Sequence, residues 1–204
     1  TVIVTGAGSG IGRALAVEFA AGGARVVAGD LDETGVQETA QRIRETGGAA
    51  VALRADAAEV AGIESLITLA GREFGPVDIY VANAGIMGAI GLGDEDAWDR
   101  IIDINLRAHI RAAKAVVPEW VERGAGHFVA VASAAGLLTQ LGAAPYSVTK
   151  HAAIGFAEWL AIRYGDNGIG VSCVCPMGVD TPLLRGNVAN VDTDKFWLQL
   201  QYTY

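Results

Sequence analysis

Cysteine, proline and basic residues are all scarce in this chain of 204 residues. Its two cysteines are too few for a disulfide framework, so the sequence predicts a cytoplasmic protein in a reducing environment. Cys173 and Cys175 share one face of an apolar run and are interpreted as small buried side chains; with no further ligands nearby, we predict no metal site. Lysine and arginine number 15 against 23 aspartates and glutamates, a net charge of −8. An acidic chain without a basic stripe is a poor partner for nucleic acid or an anionic membrane, and we predict neither.

Long hydrophobic runs are also missing, which argues against a membrane-spanning helix, because a span needs about 20 consecutive apolar residues. The chain opens without methionine in the apolar run Thr1-Val2-Ile3-Val4. We therefore expect a domain whose first few residues are missing, and not a signal peptide, which would carry a basic leader.

Apolar residues and glycine are abundant: 51% of the chain is hydrophobic and 27 residues are glycine. Short, near-continuous apolar runs alternate with longer helical stretches, as expected of parallel strands covered on both faces. The predicted strands are Val2–Thr5, Arg25–Gly29, Ala50–Arg54, Asp78–Ala82, His127–Ala132 and Gly170–Cys175. The predicted helices are about Ile11–Ala21, Glu33–Thr46, Val60–Phe74, Glu95–Arg123 and Ala144–Asp166. This alternation predicts one α/β domain over residues 1–204, built on a doubly wound, Rossmann-like parallel sheet.

A glycine-rich turn follows the first predicted strand, with the sequence Thr5-Gly6-Ala7-Gly8-Ser9-Gly10-Ile11-Gly12. Ligands of such sheets bind beyond the carboxyl ends of the strands, so this turn is a candidate site. Glycine permits the sharp turn and the close approach of backbone to a phosphate, and the helix amino end offers N–H groups and partial positive charge. We assign Gly6, Ser9, Gly10, Ile11 and Gly12 to nucleotide binding, although such turns also occur without a ligand.

Two aspartates follow the second and third predicted strands. Asp30 lies 18 residues after Gly12, close to the spacing of an acid that binds the adenosine ribose. A carboxylate there accepts hydrogen bonds from the ribose hydroxyls and repels a 2′-phosphate, and no arginine adjoins it in the sequence, so we predict NAD(H) over NADP(H). Arg13, in the first helical turn, is interpreted as solvated or structural. Asp56 is equally consistent with a contact to adenine and with a helix N-cap.

A second group of polar residues comprises Ser133, after the fifth predicted strand, with Tyr146 and Lys150 in the helix that follows. The i, i+4 spacing places Tyr146 and Lys150 on one helix face. A tyrosine hydroxyl has a pKa of about 10, and a nearby ammonium lowers that pKa toward the range useful for proton transfer. Ser133 is placed to hydrogen-bond a reacting oxygen. Tyr and Lys at this spacing, taken alone, are usually a surface pair.

Together these motifs resemble the short-chain dehydrogenase/reductase family over Thr1 to about Leu184. The family's order also includes Asn83-Ala84-Gly85 after the fourth strand and Asn105 within Ile104-Asn105-Leu106. Each motif is weak alone, but their joint occurrence in this order is specific.

The resemblance implies a role for each residue. Tyr146 would be the general acid in ketone reduction and the base in alcohol oxidation, and Lys150 would bind the nicotinamide ribose and lower the pKa of Tyr146. Ser133 would orient the substrate oxygen, and Asn105 would hold a water that links Lys150 to solvent. Residues Asn83-Ala84-Gly85 would line the cofactor cleft.

The chain departs from the family pattern in two places. In Pro176-Met177-Gly178-Val179-Asp180-Thr181, Met177 stands where the family has glycine, so we expect altered backbone contacts at the nicotinamide end. Pro176 and Thr181 keep their cofactor-binding positions, with the Thr181 hydroxyl near the carboxamide. The chain ends at Tyr204, so we expect the family's last strand and helix to be lacking and residues 185–204 to belong to the substrate loop.

The resemblance implies an oxidoreductase that transfers a hydride between NAD(H) and a small alcohol or ketone. A lyase or epimerase-like relative is disfavoured by the joint presence of Ser133, Tyr146 and Lys150. A catalytically silent nucleotide-binding protein remains the alternative, supported only by the missing carboxyl-terminal elements. A largely apolar substrate pocket is predicted from residues that flank the catalytic positions, some of which will be core: Met87, Leu137, Leu138, Gln140, Leu141, Met177 and Leu183.

Family members pair through their two long helices, so by analogy we expect a homodimer or homotetramer. The apolar residues expected to permit close packing are small or β-branched: Ala108, Ala112, Val116, Ile154, Ala157 and Ala161. Trp159 and Gln140 are equally consistent with an interface.

Overall fold

Seven strands form one sheet in the described part of the chain, residues 1–185 and 196–200 of a computed structural model. The strands are β1 (Val2–Thr5), β2 (Arg25–Asp30), β3 (Ala49–Arg54), β4 (Ile79–Ala82), β5 (Gly126–Val131), β6 (Ile169–Met177) and β7 (Phe196–Leu200). Their order across the sheet is β3-β2-β1-β4-β5-β6-β7, so the strand order reverses between β1 and β4. In an open α/β sheet such a reversal opens a crevice at the carboxyl ends of the two strands.

The helices alternate with these strands along the chain. The longer ones are α1 (Gly10–Ala21), α2 (Glu33–Glu45), α3 (Val60–Glu73), α4 (Glu95–Ile102), α5 (Ala108–Arg123) and α7 (Ala144–Tyr164). Two single-turn helices, α6 (Ala135–Leu138) and α8 (Pro182–Arg185), were not predicted from the sequence. A short 3-10 helix (Gly165–Asn167) follows α7.

The sheet confirms the predicted doubly wound architecture. All ladders among β1 to β6 are parallel, and the core divides into two layers on opposite faces of the sheet. Helices α1 and α2 pack on one face, whereas α3, α5 and α7 pack on the other. The structure adds one element to the prediction, because Phe196–Leu200 pairs antiparallel with β6.

The predicted helix Glu95–Arg123 is wrong in one respect, because it is interrupted. A π-helical turn over Asp103–Arg107 separates α4 from α5, and the N–H of Ala108 donates to the carbonyl of Asp103, five residues earlier. Such a turn inserts one extra residue into the helix and changes which side chains face inward. Its middle residue is Asn105, a predicted site residue.

The α3 and α5 helices show why the apolar pattern is predictive. Ile63, Leu66 and Ala70 of α3 recur at helical spacing and are buried, as expected of a helix with one face toward a core. On α5, Trp120 is buried, and its indole N–H donates to the carbonyl of Val77 at 2.7 Å.

The six residues predicted to let α5 and α7 pack closely between copies do not lie on the surface, whereas the pairing of these helices itself stays a prediction. All six are buried within the chain's own core, because these helices use their small side chains to pack on the sheet: Ala108, Ala112, Val116, Ile154, Ala157 and Ala161. The apolar side chains that remain exposed on α7 are larger, and include Trp159 and Ile162.

No helix in the described residues is long and apolar enough to cross a membrane. The longest, α7, has 21 residues, ten of which are buried against the rest of the chain.

One buried polar residue, His109 of α5, stands apart from the rest of the core. It is 1% exposed, and neither ring nitrogen has a hydrogen-bond partner among the described residues. Burial, with a smaller contribution from the positive charge of Lys150, lowers the pKa of His109 to about 3. The ring is therefore neutral at neutral pH.

We expect His109→Leu to make the protein less sensitive to acid. The folded-state pKa of His109, about 3, lies below its ordinary value of 6.5, so between these values the unfolded chain binds a proton that the folded chain does not. Stability from this residue is present above pH 6.5 and is lost as the pH falls toward 3, by up to about 1.4 kcal/mol per pH unit.

Urea unfolding of both proteins at pH 7, 6 and 5 measures this difference. The His109→Leu variant should lose less unfolding free energy over this range, and at pH 7 it should match or exceed the parent, since no buried polar group is left unpaired. His151→Leu, at an exposed position of α7, is the matched control and should keep the parent's dependence. Equal pH dependence in His109→Leu and the parent would contradict the assignment.

Candidate active site

A cleft of about 390 Å³ opens where the carboxyl ends of β1 and β4 diverge. A second pocket of about 230 Å³ adjoins it. The cleft brings together most of the predicted site residues: Gly6, Ser9, Gly10, Ile11, Gly12, Asp30, Asp56, Asn83, Ala84, Gly85, Tyr146, Lys150 and Thr181. Ser133 and Pro176 line the second pocket, and Tyr146 lines both. Asn105 lines neither of them.

The glycine turn brings backbone against backbone. Gly6 and Gly10 have φ angles of +65° and +51°, a left-handed conformation that glycine adopts without strain. A Cβ on Gly12 would overlap the carbonyl oxygen of Gly6 and meet the side chain of Asn83. Ser9 is the N-cap of α1 but makes no side-chain capping hydrogen bond. The amino end of α1 therefore faces the cleft, the arrangement that suits a phosphate.

Thr5 and Asn83 link this turn to the end of β4. The hydroxyl of Thr5 donates to the carbonyl of Val81 at 3.1 Å and accepts from the N–H groups of Asn83 and Ala84 at 3.1 and 3.2 Å. The Asn83 amide donates to the carbonyls of Thr5 and Gly6 at 2.8 and 3.2 Å. These bonds hold the two sides of the crevice at a fixed separation.

Asp30 is held by backbone N–H groups at the end of β2. One carboxylate oxygen accepts from Gly8 at 2.7 Å and the other from Asp32 at 2.9 Å. Although no arginine adjoins Asp30 in the sequence, the β2–β3 register places Arg54 directly opposite it. Arg54 makes no ion pair with Asp30 and does not line the cleft within the described residues.

Arg13 has a structural role, as one of its two interpretations predicted. Its guanidinium donates to the hydroxyl of Thr39 at 3.0 Å and to the carbonyl of Gly35 at 3.1 Å, and also to the carbonyl of Gly8. It forms an ion pair with Glu38 at 3.3 Å. Arg13 thus joins the glycine turn to α2.

Asp56 lines the cleft and is not the N-cap of α3. That position belongs to Glu59. The Asp56 carboxylate accepts from the N–H of Ala58 at 2.9 Å, a turn closed by the aspartate side chain. Of the two interpretations of Asp56, the helix cap is therefore wrong.

Ser133, Tyr146 and Lys150 meet at the junction of the cleft and the pocket. Tyr146 and Lys150 are 8% and 4% exposed, so they are not a surface pair. The Lys150 ammonium lies 5.7 Å from the centre of the Tyr146 ring, and it donates to the carbonyl of Val131 at 3.1 Å. Ser133 and Tyr146 both line the second pocket, and Ser133 acts on the titration of the Tyr146 hydroxyl as a hydrogen-bonding neighbour.

Burial controls the titration of this pair. It raises the pKa of Tyr146, and the hydrogen bond with Ser133 opposes that rise. Burial also lowers the pKa of Lys150 to about 8, against opposing contributions from Cys173 and Cys175. The sequence-based expectation of a lowered Tyr146 pKa does not describe this structure, because desolvation of the phenolate outweighs the favourable interactions.

Asn105 lies behind the cleft in the π-helical turn and is fully buried. Its side chain accepts from the N–H of Ile86 at 2.8 Å and donates to the Ile86 carbonyl at 2.9 Å and to the hydroxyl of Thr149 at 3.3 Å. Both amide hydrogens are therefore occupied within the chain. A Cβ on Gly85 would lie 3.2 Å from the Asn105 amide oxygen and 3.5 Å from the Lys150 ammonium.

The segment after β6 approaches the glycine turn. The methyl group of Thr181 would lie 3.0 Å from a Cβ on Gly10, and its hydroxyl accepts from the N–H of Leu184 at 3.3 Å. Gly178 has a φ of +57°, a left-handed conformation that favours glycine. The position in this segment that needs glycine is therefore Gly178, one residue after Met177. Met177 itself lines the second pocket and is 44% exposed.

Most of the residues that line the second pocket are apolar, as predicted, but only some of the side chains predicted to line it do so. Five of the predicted side chains line it: Met87, Leu138, Gln140, Met177 and Leu183. Leu137 packs on the core instead, and Leu141 is fully exposed outside the pocket. Thr139, which also lines it, is the one residue other than glycine with positive φ in the described chain, at +79°.

Sequence reasoning missed one wall of the cleft. Ile86, Arg100 and Ile104 line it, on or beside the helix that carries Asn105. Arg100 and Ile104 are one helical turn apart, so the helix period together with Asn105 was the signal that could have found them.

No group of three or more histidine, cysteine or acidic side chains in the described residues is arranged to hold a metal ion. Cys173 and Cys175 are both buried and free.

The described geometry fits a dinucleotide, because a glycine turn, a helix amino end and an anchored carboxylate line one cleft. A protein-family comparison matches residues 1–192 to the short chain dehydrogenase family. The chain is 34% identical over 195 residues to 1-deoxy-11-beta-hydroxypentalenate dehydrogenase of Streptomyces exfoliatus, covering 92% of this chain and 70% of that protein.

Two solved structures show the same fold. The first, a short chain dehydrogenase/reductase from Burkholderia phymatum in complex with NAD, has a TM-score of 0.85 at 30% identity and covers 90% of this chain and 67% of that one. The second, actinorhodin polyketide ketoreductase with NADPH, has a TM-score of 0.85 at 35% identity and covers 91% and 74%. Sequence, fold and site geometry agree: the chain belongs to the short-chain dehydrogenase/reductase family and has its nucleotide-binding, Rossmann-like fold.

Proposed function

We propose that the protein is an NAD(H)-dependent oxidoreductase that interconverts a small, largely apolar alcohol and its ketone, with Tyr146 as the general acid and base. The observation that carries this proposal is the position of Tyr146, which lines both the 390 Å³ cleft and the 230 Å³ pocket. A group at that junction can exchange a proton with a substrate oxygen while the substrate faces the cofactor.

Ser133 and Lys150 support this role of Tyr146. Ser133 and Tyr146 line the same pocket, so one substrate oxygen can contact both hydroxyl groups. The Lys150 pKa of about 8 leaves the ammonium mostly charged at neutral pH, where it favours the phenolate form of Tyr146. The raised pKa of Tyr146 keeps it protonated at neutral pH, which suits an acid that donates to a ketone.

Asn105 would complete a route for the proton. Its side chain is committed to Ile86 and Thr149, so we place its contribution at the backbone carbonyl in the π-helical turn, where helical hydrogen bonding is interrupted. That carbonyl would hold a water that links Lys150 to solvent.

The cofactor would be held along the full length of the cleft. The backbone from Ser9 to Gly12 and the amino end of α1 would bind the pyrophosphate, and Asn83-Ala84-Gly85 would form the floor. Asp56 would meet the adenine edge, while Lys150, Pro176 and Thr181 would hold the nicotinamide half. When bound, the nicotinamide supplies the acceptor or donor of hydride, and the protein supplies position and the proton.

The preference for NAD(H) is proposed from Asp30. Two backbone N–H groups fix its carboxylate at the end of β2, where it accepts from ribose hydroxyls and repels a 2′-phosphate. Arg54 lies opposite in the sheet but outside the cleft, so it does not neutralise this carboxylate by an ion pair.

The pocket favours a substrate whose only strongly polar group is the reacting oxygen, because most of the residues that line it are apolar. The name of one relative, 1-deoxy-11-beta-hydroxypentalenate dehydrogenase, agrees with an alcohol substrate.

Pairing between copies is proposed at the groove between α5 and α7. This groove of about 570 Å³ is lined by Val117, Phe156, Trp159 and Tyr164, and Trp159 is 54% exposed. Exposed aromatic side chains in an apolar groove are typical of a protein interface, so we propose a homodimer or homotetramer. A cytoplasmic location is likewise proposed from the two free cysteines.

Parallel fluorescence titrations with NADH and NADPH test the proposal most directly. We expect tight binding of NADH and weaker binding of NADPH, followed by NAD reduction with a panel of apolar secondary alcohols. Binding of neither nucleotide would contradict the proposal at its first step. Binding without turnover on any alcohol or ketone would favour a catalytically silent nucleotide-binding protein.

We expect Tyr146→Phe to lower kcat by a factor of about 10² to 10⁴, because the group that exchanges a proton with the substrate is removed. NADH affinity should stay within about twofold, since the ring that lines the cleft is kept. Tyr164→Phe, between α7 and the 3-10 helix and away from both pockets, is the matched control and should retain full turnover. Near-normal turnover by Tyr146→Phe would remove this residue from its role.

We expect Asp30→Ala and Asp30→Asn to weaken NADH binding by a factor of about ten or more, because a hydrogen bond to a charged group is lost. The ratio of NADPH affinity to NADH affinity should rise, because the carboxylate that repels the 2′-phosphate is removed. Binding constants for both nucleotides give the ratio. Glu33→Ala removes one charge nearby, at the start of α2, and should keep the parent's ratio. An unchanged ratio in the two Asp30 variants would place cofactor selectivity elsewhere.

A further inference from the structure

Four charged residues line the cofactor cleft, and they differ in whether their side chains make hydrogen bonds or ion pairs within the chain. Two are carboxylates, Asp30 and Asp56, and two are cations, Arg100 and Lys150. Lys150 is buried and donates to the carbonyl of Val131. The guanidinium of Arg100 has no hydrogen bond or ion pair with any described residue, and its side chain is exposed. Arg100 is therefore the one uncommitted cation along the described lining of the cleft.

Arg100 lines the cleft from α4, whereas Ser9 to Gly12 line it from the amino end of α1. The floor runs from Asn83, which donates to the carbonyl of Gly6, to Ile86, which exchanges two hydrogen bonds with Asn105. The glycine turn and the helix that carries Asn105 thus each contact this floor. Arg100 and Ile104 lie one turn apart on that helix, and both line the cleft.

The glycine turn offers backbone N–H groups but no free cation. Arg13, the nearest arginine in sequence, is committed to Gly8, Thr39, Gly35 and Glu38. A pyrophosphate entering the cleft brings two negative charges into a chain of net charge −8, beside two carboxylates. A cation on α4 would offset this repulsion, and a guanidinium matches the phosphate oxygens with paired hydrogen bonds.

We infer that Arg100 binds the pyrophosphate of the dinucleotide from α4, and so completes a clamp whose other half is the amino end of α1. The inference rests on the proposed nucleotide-dependent function. It assigns to α4 the positively charged contact with the phosphates, which the backbone N–H groups of the glycine turn do not supply.

Arg54 provides a matched control for this role. Like Arg100 it is an exposed arginine without a partner among the described residues, and it lies near the adenosine end of the site, opposite Asp30 in the sheet. Unlike Arg100 it does not line the cleft. Arg54→Ala therefore removes the same charge without removing the proposed contact.

The experiment compares the parent chain with Arg100→Ala, Arg100→Lys and Arg54→Ala. NADH affinity is measured by fluorescence, and ADP and adenosine are measured by competition, each at two salt concentrations. We expect Arg100→Ala to weaken NADH and ADP binding about tenfold and to leave adenosine within twofold, since adenosine has no phosphate. Arg100→Lys should be intermediate, Arg54→Ala should stay within twofold for all three ligands, and Arg100→Ala should show a weaker dependence on salt.

Three outcomes would overturn the inference. Parent-like binding of ADP by Arg100→Ala would show that the guanidinium makes no contact with the phosphates. An equal loss for adenosine would place the contact on the base or ribose. An equal loss in Arg54→Ala would show a general effect of charge. If the parent chain binds neither NADH nor ADP, the proposed function itself fails, and this result differs from all three.

Discussion

The site depends on one contact of backbone with backbone, where α1 begins against the turn that follows β1. A side chain at Gly12 would overlap the carbonyl of Gly6, so only glycine lets the helix start this close to the sheet. Asn83 occupies the remaining space by donating to the carbonyls of Thr5 and Gly6. The width of the cleft, the direction of the α1 amino end and the position of Asn83 all follow from this contact.

A second set of hydrogen bonds extends from the cleft floor to α7. Ile86 follows Asn83 along the cleft floor and is hydrogen-bonded to Asn105, whose amide also donates to the hydroxyl of Thr149. Thr149 in turn donates to the carbonyl of Tyr146 at 3.0 Å. Each of these groups is wholly or partly buried, so loss of one partner would leave an unpaired polar group and displace its neighbours. The glycine turn and α7 are thus linked by two sets of hydrogen bonds that meet at the backbone segment from Asn83 to Ile86.

The succession of strands and helices along the chain, and most of the residues that line the cleft, could be predicted because each depends on local pattern: apolar runs for the strands, and glycine or polar residues directly after them. The π-helical turn could not, since the residues from Glu95 to Arg123 satisfy an ordinary helix and only contacts with Ile86 and Thr149 select the extra residue. The packing of Ala108 and Ala157 was misassigned because small side chains suit a core as well as an interface. The placement of Arg54 opposite Asp30 depends on sheet register, which sequence distance does not reveal.

Burial sets the order in which Tyr146 and Lys150 lose their protons. It raises the pKa of Tyr146 above its ordinary value and lowers that of Lys150 to about 8, so the lysine deprotonates first. A phenolate beside an ammonium needs the reverse order. Hydrogen bonds to the Lys150 ammonium, or negative charge added to the cleft, raise the pKa of Lys150 and favour that phenolate. If Tyr146 has the proposed role, occupancy of the cleft and its readiness to accept a proton are coupled, and base chemistry is favoured in the occupied site.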